Sequence, residues 1–344
     1  MHMADALLSP VVGGTLWAGT LGAIAYAAKK LKEKMDERMI PLMGVLGAFI
    51  FAAQMINFTI PGTGSSGHIG GGMLLAILLG PYAAFLVIAS VLIIQALFFA
   101  DGGLLALGAN IWNLGIYPCF IAYPLIYRAL VKQNALSRRI TLASVLGVVI
   151  GLQLGAFSVV LETKLSGITE LPFDTFVILM LPTHLAIGLI EGFITAGIVN
   201  YVRTLRPDIV ENVEAVKVLS SGGSLKKIVV VMAILAVLAG GAFSWFASTY
   251  PDGLEWSIEK IYGKPEIPER SNVIAEILLE IQKKTAILPD YSFPAGSKGD
   301  REPSWPAIDP GTSLSGLFGG IMVLGLVVIF GIGIKVLRRF RHRT

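Results

Sequence analysis

Eight apolar runs, near residues 10–28, 40–59, 82–100, 104–127, 141–161, 173–202, 226–248 and 314–337, are each long enough to cross a bilayer. In hydrocarbon every backbone polar group must be satisfied within the protein, and a helix does this inside each run. The composition agrees, with 54% hydrophobic residues, 15% charged and a mean hydropathy of +0.74. A water-soluble fold cannot hide that much apolar surface. The predicted class is an all-α polytopic membrane protein embedded in the lipid bilayer. Its 39 glycines suit helices that pack closely in lipid. The one cysteine, Cys119, excludes an internal disulfide and reads as a small packing residue. No basic segment precedes the first run, so no cleavable signal is expected.

A ninth run, Ile69 to Gly80, is shorter. Its glycine-rich start and the Gly80-Pro81 break predict a short or partly re-entrant span. Counting it as crossing puts the basic clusters on one face: Lys29 to Arg38 after the first span, Arg128 to Arg139 after the fifth, Arg203 to Lys227 after the seventh, and Lys335 to Arg343 at the end. That face holds 19 of the 27 Lys and Arg and is expected to be the cytoplasm of a prokaryotic cell. The N-terminus and the segment around His68 then lie outside, and the C-terminus inside. Residues 1–210 form a predicted seven-span bundle. A cytoplasmic linker follows at 211–225, within the polar stretch Pro207 to Ser224. Residues 226–344 add two spans joined by an outside loop, about Tyr250 to Thr312, with 11 acidic and 7 basic residues. Within it Asn272–Leu288 is amphipathic and is expected on the outer membrane surface or on the first domain. No internal repeat is evident.

The chain begins Met1-His2-Met3-Ala4-Asp5. The amine of Met1, the amide nitrogen before His2 and His2 Nδ1 can chelate one cation through a five-membered and a six-membered ring. That bite is planar and needs the amide deprotonated, which suits Ni(II) or Cu(II) and not tetrahedral Zn(II). The bland alternative is an accidental N-terminal histidine. His68, in a loop with glycines on both sides, can add a fourth nitrogen, or it is a solvated turn residue. The predicted topology puts it on the same side as His2, which favours the ligand.

Met-His-x-x-Asp-x-Leu-x-Ser-Pro at the start, Ala53-Gln54-Met55-Ile56-Asn57-Phe58 before a Ser-Gly-His loop, and His184-Leu-Ala-Ile-Gly-Leu-Ile-Glu191-Gly192 together resemble the substrate-binding membrane component of cobalt/nickel energy-coupling factor transporters. The resemblance covers about residues 1–210. Residues 226–344 resemble the small partner subunit of those systems, through Pro251-Asp252-Gly253-Leu254-Glu255, so the chain looks like a fusion of the two. The resemblance implies a metal bound by Met1, His2 and His68, and transport driven by a separate transmembrane coupling subunit with two ATPase subunits. A planar site favours nickel; cobalt for cobalamin synthesis is the alternative.

Around these ligands, Asp5 is expected to balance metal charge, accept from an imidazole or cap the first helix. Asn57 and Ser66 are candidates to support the His68 loop. His184 and Glu191, seven residues apart on one helix face, are expected inside the bundle. His184 would orient the metal loop or the N-terminal strap, or merely tie helices together. Glu191 would serve structure or coupling, nearer the cytoplasm. The chain lacks a Gly-x-x-x-x-Gly-Lys-Ser/Thr phosphate loop, a His/Glu metalloprotease spacing and a Gly-x-Ser-x-Gly elbow, so it is not expected to be an ATPase or another enzyme. No nucleic-acid partner is expected. Competing classes are a stand-alone metal carrier or channel, and a membrane scaffold or sensor without transport; scarce ionisable groups in the spans argue against a channel.

Overall fold

The computed structural model describes residues 2–34, 36–132, 134–211, 225–268, 272–293 and 305–341. Met1 and linker residues 212–224 lie outside the described residues.

Most of the apolar runs become helices. The first is α1 (Pro10–Lys34), followed by α2 (Ile40–Gln54), α3 (Gly72–Leu79) and α4 (Pro81–Phe99). The run near 104–127 becomes α5 (Leu107–Ile111), a wide-turned π-helical stretch Trp112–Tyr127 that contains Pro118 and Pro124, and α6 (Arg128–Leu130). Then come α7 (Ser137–Ser166), α8 (Phe173–Leu205), which runs unbroken through Pro182, and a short α9 (Pro207–Glu211). Among the described residues six helices are long and apolar enough to cross a membrane. The other three runs fall short for separate reasons. The π-helical stretch interrupts one, and α10 (Leu225–Gly241) has 17 residues. Helix α3 has eight, a rise of about 12 Å against the ~30 Å of hydrocarbon. The lead-in from His68 to Gly71 adds depth to it.

The polar stretch after α8 begins with helix α9, where Ile209 and Val210 are fully buried, so apolar side chains hold it to the bundle. One expectation is corrected: the His68 loop is not a plain loop. Phe58–Ile60 (β1) pairs antiparallel with Ser65–Gly67 (β2), in the register Phe58 to Gly67 and Ile60 to Ser65. Gly62 and Gly64, both at positive φ, close the turn.

The tail packs against the bundle. Helices α10 and α13 (Pro310–Arg341) both lie on α2 and meet each other where Gly240 faces Gly316; a Cβ on Gly240 would sit 2.9 Å from the Gly316 carbonyl carbon. Between them, α11 (Gly253–Tyr262) rests on α8. Helix α12 (Val273–Thr285) sits on the end of α4, where Gln282 Nε2 donates to the carbonyls of Ala96 (2.9 Å) and Gly102 (2.8 Å). Of the two surfaces expected for the amphipathic segment, the first domain is therefore one that it occupies.

Candidate metal centre at the N-terminal face

The N-terminal strap is held by backbone pairing. Met3 is fully buried; its N–H donates to Asn110 Oδ1 (2.8 Å), and its carbonyl accepts from Asn110 Nδ2 (3.2 Å) and the Gly103 N–H (3.0 Å). Asp5 does not cap α1. Its carboxylate accepts from the Ala106 N–H (2.9 Å) and so fastens the strap to the segment that leads into α5, while burial pushes its pKa up. A methyl group on Gly103 would overlap that carboxylate.

This anchoring brings the two histidines together. The rings of His2 and His68 lie parallel, 9° apart, with centroids 5.2 Å apart. The His68 Nδ1–H donates to its neighbour's carbonyl, Ile69 O (3.0 Å), which makes Nε2 the basic nitrogen. Burial pushes the His68 pKa down to about 3, so the ring is neutral and fit for metal near neutral pH. His2 differs: its Nδ1 lies 3.0 Å from Asp101 Oδ1, and its buried Nε2 has no protein partner. The nitrogen needed for the expected chelate is thus engaged by a carboxylate. Met1, the other expected ligand residue, lies outside the described residues.

The expected supports take definite places. Glu191 lies against the metal loop. Its carboxylate accepts from the N–H groups of Gly70 and Gly71, both at 2.8 Å, because the chain after His68 dips into the bundle to meet it. Gln54 Nε2 holds the same segment through Gly70 O (2.9 Å) and is itself held by Gln95 (2.8 Å). His184 donates from Nδ1 to Met180 O (2.8 Å), and its buried Nε2 has no partner. Its ring edge abuts Gly253, where a Cβ would lie 3.0 Å from Cε1, and a small cavity separates it from His68 and Asp252. Ser66 turns from the metal loop to the tail: its Oγ donates to Tyr250 O (2.7 Å) and its N–H to Pro251 O (2.8 Å). Asn57 lines the main cavity, and its carbonyl accepts from the Ser248 N–H (2.7 Å).

That cavity measures about 700 Å³ and is shared by both parts of the chain; His2, His68 and Asp101 line it with Asp252, Glu255 and Tyr291. Asp252 and Glu255 of the Pro-Asp-Gly-Leu-Glu turn form a capping box at the start of α11. Several groups here had no individual signal in the sequence. Asp101 is a lone acid between two apolar runs; Tyr291 reaches it from 190 positions away and Gln282 reaches Gly102 from 180. Glu162 joins Asn113 (2.9 Å) and Ser158 (2.9 Å) in a buried network. Among the described residues, no three His, Cys, Asp or Glu side chains form a metal cluster.

A multi-pass helical bundle with a polar, histidine-bearing cavity at one face is the architecture of a membrane transport component. Residues 2–209 match the family described as the cobalt uptake substrate-specific transmembrane region, and residues 226–336 match the PDGLE domain. The chain belongs to that metal-uptake family, with a PDGLE partner domain fused to it. It is 34% identical, over 95% of its length and 96% of the relative's, to a putative fused nickel transport protein NikMN of Archaeoglobus fulgidus. It is 32% identical to the cobalt transport protein CbiM of Sorangium cellulosum, over 65% of this chain and 100% of that one. A solved structure of a truncated transition metal transporter shares 32% identity with a TM-score of 0.52, covering 59% of this chain and 99% of that chain.

Proposed function

We propose that the chain captures Ni²⁺ outside the cell as the substrate-specific component of an ATP-driven energy-coupling factor transporter. A transmembrane coupling subunit and two ATPases, all separate chains, supply the work. The observation that carries this reading is the parallel, part-buried pair His2 and His68 on an anchored N-terminal strap. With the Met1 amine, the His2 amide nitrogen and His2 Nδ1, His68 Nε2 completes four nitrogens in a plane. Strong in-plane nitrogens suit a d⁸ ion; Cu²⁺ would bind as tightly in water, so its exclusion rests on availability. The N-terminus outside and the C-terminus in the cytoplasm follow from the basic clusters. Cobalt is the second reading, favoured by the cobalt-transport relatives over the same region.

The test is titration of the purified chain with Ni²⁺, Co²⁺, Cu²⁺ and Zn²⁺, together with metal analysis. One nickel per chain is expected, lost when residues precede Met1 and strongly weakened in His68→Ala. Wild-type affinity in both variants would sink the site. Uptake by cells that co-express the chain with its coupling and ATPase subunits, against cells that lack the ATPases, tests the energy source.

A further inference from the structure

The cations at the end of the bundle opposite the metal cavity fall into two kinds. Arg38 pairs with Asp36, Arg206 with Asp208 and Lys335 with Glu37, each at 2.6 Å. Lys132, Arg138 and Arg139 form no ion pair among the described residues, yet they line one cavity of about 270 Å³ with Asn134, Ala135 and Leu136. A defined turn shapes it. Asn134, at a φ of 58°, folds the chain back toward α7. Arg203, from the end of α8, donates to Ala135 O (2.6 Å) and Ser137 Oγ (3.2 Å) and so fixes the turn. His184, beside the His68 loop, lies about 28 Å of helix rise away from Arg203.

A basic loop beside a span can serve as a topology signal alone, but that role needs only a number of cations and no cavity. Three like charges around one space repel each other. No side chain caps α7, whose first N–H groups add positive potential at the same place. Arg138, Leu142 and Leu146 follow at intervals of four, so they share one face of α7, and both leucines are exposed. The basic cavity therefore continues into an apolar stripe. We propose that it binds the phosphodiester headgroup of an anionic phospholipid, with an acyl chain along Leu142 and Leu146. Arg138 and Arg139 offer forked donors to the phosphate oxygens, and Lys132 a point charge. A soluble phosphate would satisfy the cations and ignore the leucines, which favours the lipid.

Native mass spectrometry of the delipidated full chain, titrated with dioleoyl-phosphatidylglycerol or dioleoyl-phosphatidylcholine, measures the site. Each cation near an anionic headgroup is a factor of about five in affinity, so one phosphatidylglycerol should bind on the order of 10²-fold tighter than phosphatidylcholine. Lys132→Gln, in the loop, should weaken it about five-fold, and Lys132→Gln/Arg138→Gln/Arg139→Gln should abolish the preference. Lys29→Gln/Lys226→Gln/Lys227→Gln removes equal charge from other basic clusters of that end and should leave the preference intact. Glycerol phosphate in excess should not displace the lipid. No preference in the wild type, equal loss in both triple variants, or displacement by glycerol phosphate, which would mark a soluble-anion site, would overturn the proposal. So would a preference that survives in the cavity triple variant while that variant no longer co-purifies with the coupling subunit, since the cations would then serve a protein partner.

Discussion

Glu191→Gln tests whether the metal loop is clamped from inside the bundle. In the wild type both carboxylate oxygens accept from backbone N–H groups at 2.8 Å, and the side chain is only 3% exposed. Bonds to charged acceptors contribute about 1.5–3 kcal/mol each, whereas a neutral bond contributes about 1 kcal/mol. Glutamine retains one acceptor and turns an amide N–H₂ toward the second glycine N–H, leaving a buried donor unpaired. The net loss is about 3 kcal/mol. It falls on the segment that fixes His68, so it should appear as nickel affinity weakened on the order of 10²-fold, since about 1.4 kcal/mol is tenfold. Equilibrium dialysis with ⁶³Ni on the purified chain reads this directly, and a thermal melt shows whether the bundle survives. Glu162→Gln is the control: that buried carboxylate bonds Asn113 and Ser158 and not the loop. Unchanged affinity in a folded Glu191→Gln protein would refute the clamp.

Bound nickel should be diamagnetic with a yellow-orange absorption band, as four in-plane nitrogens favour low-spin d⁸; a paramagnetic six-coordinate spectrum would point to oxygen ligands and to cobalt. Gly103→Ala forces a methyl group onto the Asp5 carboxylate, an overpacking cost of about 1–3 kcal/mol, and should loosen the strap and weaken nickel binding. Gly14→Ala, where nothing lies within 4 Å, should not; equal effects on affinity would contradict the strap's role. A chain truncated after about Ser220 keeps His2 and His68 and should bind nickel at equilibrium, yet support little uptake with its ATPase partners. Lost binding would put ligands in the tail, and full uptake would make the tail accessory.

Much of this was legible in the sequence because apolar length and charge act locally. The long runs become helices α1, α2, α4, α7, α8 and α13, and the two candidate ligand histidines do meet. The short elements were harder to see. Thr59, Ser65 and Ser66 show no alternation of apolar and polar residues, so nothing in them announced a hairpin that is held partly by the tail: Thr59 bonds Ser248 (2.9 Å) and Ser66 pairs with Asp252. The position of Glu191 along its helix gives its depth, but predicts its partner only if the loop stays at the surface. Residues 68–71 enter the bundle, so the depth of Glu191 said nothing of its partner. Asp101 and Tyr291 lie 190 residues apart, and no local pattern joins such a pair.

The fusion itself has a physical consequence at the site. Tail residues Asp252, Glu255 and Tyr291 line the same cavity as His2 and His68, and Gln282 fixes the two carbonyls on either side of Asp101. Each such contact contributes about 1 kcal/mol and must offset the entropy of ordering a polar loop. Covalent connection keeps the tail's effective concentration high, so contacts too weak to hold a free subunit can still operate on every molecule. A tail held this way can release and re-form its contacts without leaving the complex.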